Sequence, residues 1–127
     1  MSRYFLTLAA ANGFLAVMLG AFGAHALKSH LDDYALGVYQ TAVQYHIYHS
    51  LALLGVGLLA LWYPQSALLR TSGISFLLGI VVFSGSLYLL SITGTRWLGA
   101  ITPIGGLAFM VGWLCLALAS WQLADPS

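Results

Sequence analysis

Charge is what this sequence has least of. Lys and Arg number four and Asp and Glu three, 6% of 127 residues, against roughly 25% in an ordinary soluble domain. No Glu occurs at all, so no glutamate general base is available and the metalloprotease pattern His-Glu-x-x-His cannot be built. A net charge of +1 provides no basic field for phosphates, which excludes nucleic acid as a partner. Nor is there a Lys/Arg cluster of the kind that reads anionic lipid surfaces. Cys115 is the single cysteine, so neither an intramolecular disulfide nor a cysteine zinc site can form. Among Leu and Ala it reads as a small apolar filler.

What is present is apolar. Hydrophobic residues make up 61% of the chain, and mean hydropathy is +0.92. Seven charged side chains cannot coat a water-soluble globule of this size, so the chain is expected to be integral to a membrane. Its length allows one domain, residues 1–127, with no room for a separate soluble catalytic domain. The fold class expected is all-α: a polytopic membrane protein with four transmembrane helices in a compact bundle.

The spans are predicted at about 4–27, 37–62, 68–92 and 103–123, each long enough at ~1.5 Å per residue for a ~30 Å hydrocarbon core. Ala24-His25-Ala26 mimics a signal-peptidase site, but the apolar run before it exceeds a signal h-region, and the span is expected to stay uncleaved. Lys28 to Gly37 is predicted as a loop, and Trp62-Tyr63-Pro64 as an interfacial belt with a helix stop. Small residues at Ala9, Gly13, Ala16, Gly20 and Ala24 share one face of the first span. Ser75, Gly79 and Ser86 do so on the third, and Gly105, Gly112 and Ala119 recur every seven residues on the fourth. Smooth seams let helix backbones approach in lipid, so packing is assigned to Gly13, Gly20, Gly23, Gly79, Gly85, Gly105, Gly106 and Gly112. The serine hydroxyls are expected to bond back to their own helices. Thr102 suits an N-cap and Pro103 the first helical position.

Four spans place both ends on one side of the membrane. His25, Lys28, His30, Asp32, Asp33, Tyr45, His46, His49, Arg96 and Thr102 then collect at the opposite mouth. Arg3 and Arg70 on the terminal side balance Lys28 and Arg96 on the other. Arg3 beside the first helix favours cytoplasmic termini.

The stretch Thr41–Leu54 runs from a histidine-bearing half into an apolar half. Counting about 20 residues back from Trp62 sets the interface near Val43 and His49 about two turns inside. His49 is therefore the one histidine expected in the core, either hydrogen-bonded to Tyr45, Tyr88 or Thr102 or lining a polar pocket. His46 and His30 are expected to meet the interface. His46-x-x-His49 has metal-ligand spacing, with His25, His30, Asp32 and Asp33 on the same face, yet matches no established metal motif. A haem between His25 and His49 is imaginable in a four-helix bundle, but nothing singles it out. Ser84-Gly85-Ser86 lacks an acidic partner and the strand-turn-helix setting of a nucleophile elbow. No metal, cofactor or catalytic residue is assigned.

Four ordered motifs carry a resemblance: Gly20-Ala-Phe-Gly23-Ala-His25-Ala-Leu27; Thr41-Ala-Val-Gln-Tyr45-His-Ile-Tyr-His49-Ser-Leu-Ala-Leu; Phe83-Ser-Gly-Ser-Leu-Tyr88; and Thr102-Pro-Ile-Gly-Gly106-Leu-Ala-Phe109 with Gly112-Trp113. Together they resemble the domain-of-unknown-function 423 family, small bacterial inner-membrane proteins of the YgdD/YwdK type, related to eukaryotic transmembrane protein 256. The matching positions are Gly20, Gly23, His25, Tyr45, His49, Ser84, Gly85, Ser86, Thr102, Pro103, Gly105 and Gly106. The resemblance implies a four-helix protein of the bacterial inner membrane and supplies no activity. Family sequences often carry an amide after the tyrosine, where this chain has His46, which argues against a ligand role there.

The leading functional expectation is a polar pocket of His25, Tyr45, His49, Ser84, Ser86 and Thr102 that binds or passes a small solute, ion or lipid. The alternative is a non-catalytic accessory or scaffold subunit, with the seams docking a second copy or another membrane protein. The lipid bilayer is the partner in either case.

Overall fold

The computed structural model describes residues 1–125. Five α-helices, α1 (Ser2–Phe22), α2 (Asp33–Trp62), α3 (Ala67–Gly79), α4 (Gly85–Thr93) and α5 (Thr102–Ala124), make four spans. A π-helical turn, Gly23–Leu27, extends α1; a second, Ile80–Ser84, fuses α3 to α4; and a 3-10 turn, Arg96–Ala100, leads into α5. The four spans are Ser2–Leu27, Asp33–Trp62, Ala67–Thr93 and Arg96–Ala124, all long and apolar enough to cross a membrane.

Local chemistry sets the breaks. Asp32 caps α2, its carboxylate accepting the Ala35 amide at 2.7 Å. The helix therefore starts at Asp33, inside the segment expected to be loop up to Gly37. At 30 residues α2 reaches about 45 Å, so its first turns stand clear of a ~30 Å core. Pro64 follows its end, and Ser66 caps α3 by accepting the Leu69 amide. Gly94 ends α4 in the left-handed conformation, φ 69°, which a residue without a Cβ adopts without strain. Thr102 is not the N-cap that the sequence suggested. Ile101 holds that position with helical dihedrals, because the 3-10 turn feeds straight into α5. The freed Thr102 hydroxyl instead pairs with Ser86 at 2.7 Å.

Packing makes a central pair flanked on each side. α2 lies against the third span, α1 packs chiefly on α2, and α5 chiefly on α3 and the second π turn. Burial follows this order: 44% and 50% of the most apolar stretches of the second and third spans are buried, against 17% for each outer span. The connection around Tyr63–Ser66 lies beside Gln122 and Leu123 at one end. Leu6 meets Gly57 near the end of α2 and Phe5 meets Gly73 near the start of α3, so the start of α1 and the end of α5 lie on one face.

Glycines and phenylalanines interlock between α3 and α5. The Phe109 ring fills the space a Cβ on Gly79 would need, the Phe76 ring does so at Gly112, and the Phe83 main chain at Gly105. One heptad further, Leu69 and Ala119 are both buried in the same core cluster. Across the other interface Leu6 sits on Gly57, Tyr39 on Gly23, Val43 near Gly20, and Phe5 reaches Gly73 of α3. Gly13 and Gly85 face open space, and Gly106 meets only the edge of the Phe83 ring. Where no hydrophobic drive separates helix from lipid, such close fits supply the dispersion that holds spans together.

These contacts set the expected behaviour of two substitutions. Gly105→Ala drives a methyl into the Phe83 backbone and should lower unfolding stability in detergent by about 1–3 kcal/mol. Gly85→Ala enters open space and should stay within about 0.5 kcal/mol of the parent. Equal midpoints for the two variants in a thermal melt would refute this packing.

Candidate functional site

Two histidines three residues apart on α2 diverge by about one-sixth of a turn and so reach different neighbours. Both are buried, His46 at 4% exposure and His49 at 5%. His46 is thus as buried in the protein as His49, although it lies nearer the membrane edge, where sequence reasoning had it meeting the interface. The signal was Asn12, the only asparagine, lying mid-span on α1. An intramembrane amide seeks a partner on another helix.

The geometry fixes both tautomers. The Asn12 Nδ2 donates to the Leu8 carbonyl at 2.9 Å, which turns its Oδ1 toward His46. His46 Nε2 therefore carries the proton and donates to that oxygen at 2.9 Å. His46 Nδ1 accepts the Tyr88 hydroxyl at 3.0 Å. For His49 the order reverses. The Trp113 indole can only donate, and does so to His49 Nε2 at 3.0 Å. His49 Nδ1–H then donates to the Tyr45 carbonyl at 2.8 Å. Each neutral imidazole has its donor and its acceptor used, and through them α2 is bonded to α1, α4 and α5.

Aromatic rings close around His49. Phe109 lies flat on it at 3.5 Å between centroids and 12° between planes. Tyr45 stacks at 5.9 Å, while Phe76 and Trp113 meet it at steeper angles. The expected partners of His49 thus change: Tyr45 supplies its carbonyl, Trp113 takes the place of Tyr88 and Thr102, and Tyr88 serves His46.

The other expected site residues are dispersed. His25 is exposed on the first π turn. Tyr45 is partly exposed and packs on Phe83 and Phe109. Ser86 bonds the Phe83 carbonyl of its own span as well as Thr102. Ser84 and Ser72 break the expectation that hydroxyls bond back to their own helix. Ser84 donates to the Ala42 carbonyl on α2 at 2.9 Å, and Ser72 to the Gly112 carbonyl on α5 at 2.7 Å. Among the described residues no buried side-chain polar atom lacks a hydrogen-bond partner. No three His, Cys, Asp or Glu side chains converge there to hold a metal.

Open volume lies elsewhere at the same mouth. A cavity of about 220 Å³ sits where the first π turn faces the start of α2, lined by Gly20, Gly23, Ala24, Gln40 and Gln44 among others. A second, about 160 Å³, shares Gly23, Ala24 and Gln40 with it and adds Lys28 and Leu36. Sequence reasoning did not single out Gln40 and Gln44. Their signal was two amides one helical turn apart near the membrane edge.

Solid-state ¹⁵N spectra of histidine-labelled protein in lipid at neutral pH should show one buried ring protonated at Nδ1 and one at Nε2. Two rings of the same tautomer would contradict the network. Trp113→Phe removes the donor to His49 Nε2 and should cost about 0.6–2 kcal/mol, the range of interhelical hydrogen bonds in membranes. An unchanged melt would show that this bond holds nothing.

Comparison with known proteins agrees with this architecture. The family profile described as protein of unknown function (DUF423) matches residues 19–106. The UPF0382 membrane protein YwdK of Bacillus subtilis is 48% identical over 93% of this chain and 96% of its own length. The UPF0382 membrane protein SERP0230 of Staphylococcus epidermidis is 44% identical over 96% of this chain and 98% of its own. The UPF0382 inner membrane protein YgdD of Escherichia coli is 36% identical over 96% and 92%. No solved structure matches. Four apolar helices and relatives named as membrane proteins, one of them for the inner membrane, make this a multi-pass inner-membrane protein. It belongs to the DUF423 family.

Proposed function

We propose that this protein is a non-catalytic binding protein that takes an amphiphilic ligand from the bilayer where the end of the first span meets the start of α2. The observation that carries this reading is a division among the polar groups. Among the described residues, the buried side-chain polar atoms all have a hydrogen-bond partner, on a neighbouring helix or on their own. The side-chain amides of Gln40 and Gln44, at the edge of an open cavity of about 220 Å³, make no hydrogen bond among the described residues. A primary amide near the hydrocarbon edge gains by meeting a polar ligand group. The mouth expected at His25, Tyr45, His49, Ser84, Ser86 and Thr102 thereby shifts to the α1–α2 side, and of those six His25 stays adjacent to it through Ala24.

We further propose that both termini are cytoplasmic, a reading that Arg3 beside the first span supports. The mouth then opens to the outer leaflet. An alkaline phosphatase fused after Asp125 should be inactive and a fluorescent protein at the same point bright; the reverse pattern would invert the orientation.

A second reading, an accessory subunit for another membrane protein, draws support from the slight burial of the two outer spans, 17% each. A partner co-purifying at fixed stoichiometry would favour it.

Binding itself is tested by Ala24→Leu, which fills the mouth from an exposed position and should leave folding intact. Native mass spectrometry from mild detergent should show a ligand adduct on the parent that the variant lacks, at equal thermal midpoints. An adduct retained by the variant, or absent from the parent, would overturn the reading.

A further inference from the structure

We propose that the ligand of this mouth is a glycerophospholipid, held by its phosphodiester at Lys28, Gln40 and Gln44, with one acyl chain lying in a furrow between α1 and α2. The inference rests on the binding reading above and names the ligand class.

A further cavity, about 360 Å³, lies deeper on the same pair of helices, lined by Gly13, Val17, Ile47, Leu51 and Leu54 among others. On α2 the line from the mouth inward is Gln44, Ile47, Leu51 and Leu54, spaced three, four and three. On α1 it is Gly20, Val17, Gly13 and Ala10, with the same spacing in the opposite direction. Spacing of this kind keeps each line on one helical face, so the two cavities follow one furrow. Space for a side chain is open above Gly13, where nothing lies within 4 Å of a would-be Cβ. Ser50 borders the furrow, but its hydroxyl is turned to the His46 carbonyl at 2.6 Å.

Length selects the occupant. From Gln44 to Leu54 is ten residues, about 15 Å along a helix, half of a ~30 Å hydrocarbon core. The furrow thus runs from the headgroup edge to the midplane, the reach of a single leaflet's chain. Its inner end is apolar and its outer end carries a cation and two unbonded amides. An ammonium and amide donors complement a phosphodiester, which every glycerophospholipid carries. Asp32 and Asp33 stand on the same face as Lys28 without lining the cavity. Lys28 and Arg96 on this face are balanced by Asp32 and Asp33, so no net positive field exists and recognition falls on the phosphate and not on headgroup charge.

The test is native mass spectrometry of the full chain in mild detergent, titrated with dioleoyl phosphatidylethanolamine, dioleoyl phosphatidylglycerol and dioleoylglycerol. One lipid per chain is expected, the two phospholipids agreeing within about twofold and the diacylglycerol weaker by about fivefold, the worth of one lysine at a membrane surface. Lys28→Gln should weaken both phospholipids toward the diacylglycerol level and leave the diacylglycerol unchanged. Val17→Trp, which fills the furrow from an exposed position, should weaken all three. Equal binding of diacylglycerol and phospholipid, a phosphatidylglycerol preference well above fivefold, or indifference to Lys28→Gln would overturn the phosphodiester assignment. Displacement of bound lipid by millimolar inorganic phosphate would overturn the role of the chain. A parent dimer that Val17→Trp dissociates would give the furrow to a second copy instead. If all three lipids bind alike but are lost in Ala24→Leu, the mouth reading survives and the phospholipid assignment falls. If Ala24→Leu leaves them bound, the mouth reading itself falls.

Discussion

The hydrogen bonds of His46 and His49 tie α2 to each of the other three spans, and they matter because lipid supplies no hydrophobic force to hold one apolar span against another. Association must come from close packing and from polar groups with nowhere else to go. His46 joins α2 to Asn12 of α1 and Tyr88 of α4, and His49 joins it to Trp113 of α5. Each bond is modest in isolation, but each also removes a buried donor or acceptor that would otherwise be unpaired in hydrocarbon. Three residues of spacing send the two rings toward different partners, so one turn of one helix sets the angular positions of the other spans.

Packing refines what these bonds begin. Gly79, Gly105 and Gly112 accept Phe109, Phe83 and Phe76 in an antiparallel register. Phe109 and Phe76 also face the His49 ring, Phe109 flat against it at 3.5 Å. The glycine seam and the histidine network are therefore one construction. A shift of α5 by one turn would take Phe109 out of Gly79 and the Trp113 indole away from His49 together. Ser72 and Ser84 add crossings from the third span to α5 and α2, and these hold because the glycines and alanines there let a backbone carbonyl come near.

Much of the architecture was legible in the sequence, for reasons that differ by residue. The four spans follow from apolar length alone, and the heptad of Gly105, Gly112 and Ala119 follows from helical periodicity. The partners filling those seams were not legible, since periodicity shows which face is smooth and not which ring enters it. Depth along α2 placed His49 inside, but depth is not burial. His46 is nearer the membrane edge and equally buried, because Asn12 and Tyr88 cover it from two other spans. The Thr102 cap failed because a local rule assumed an extended residue before the helix, while a 3-10 turn was already coiling there. The hydroxyls of Ser72 and Ser84 could not be assigned without knowing how closely the neighbouring carbonyls approach.

An interior whose polar side chains are fully committed has a consequence for where binding can occur. A ligand entering between His49, Trp113 and Phe109 would have to break bonds that also position α5, so recognition there would loosen the fold. The furrow between α1 and α2 carries no such penalty. Its walls are the faces that α1 and α2 leave uncovered at Val17, Ile47 and Leu51, and its outer rim is set by Gly23, whose missing side chain admits the Tyr39 ring. The Tyr39 hydroxyl donates to the Leu19 carbonyl one turn before the first π turn, tying the start of α2 to that end of α1. The bundle thus divides its polar groups by direction: those facing inward are bonded within the bundle, and those facing outward along α1 and α2 are left to meet the membrane.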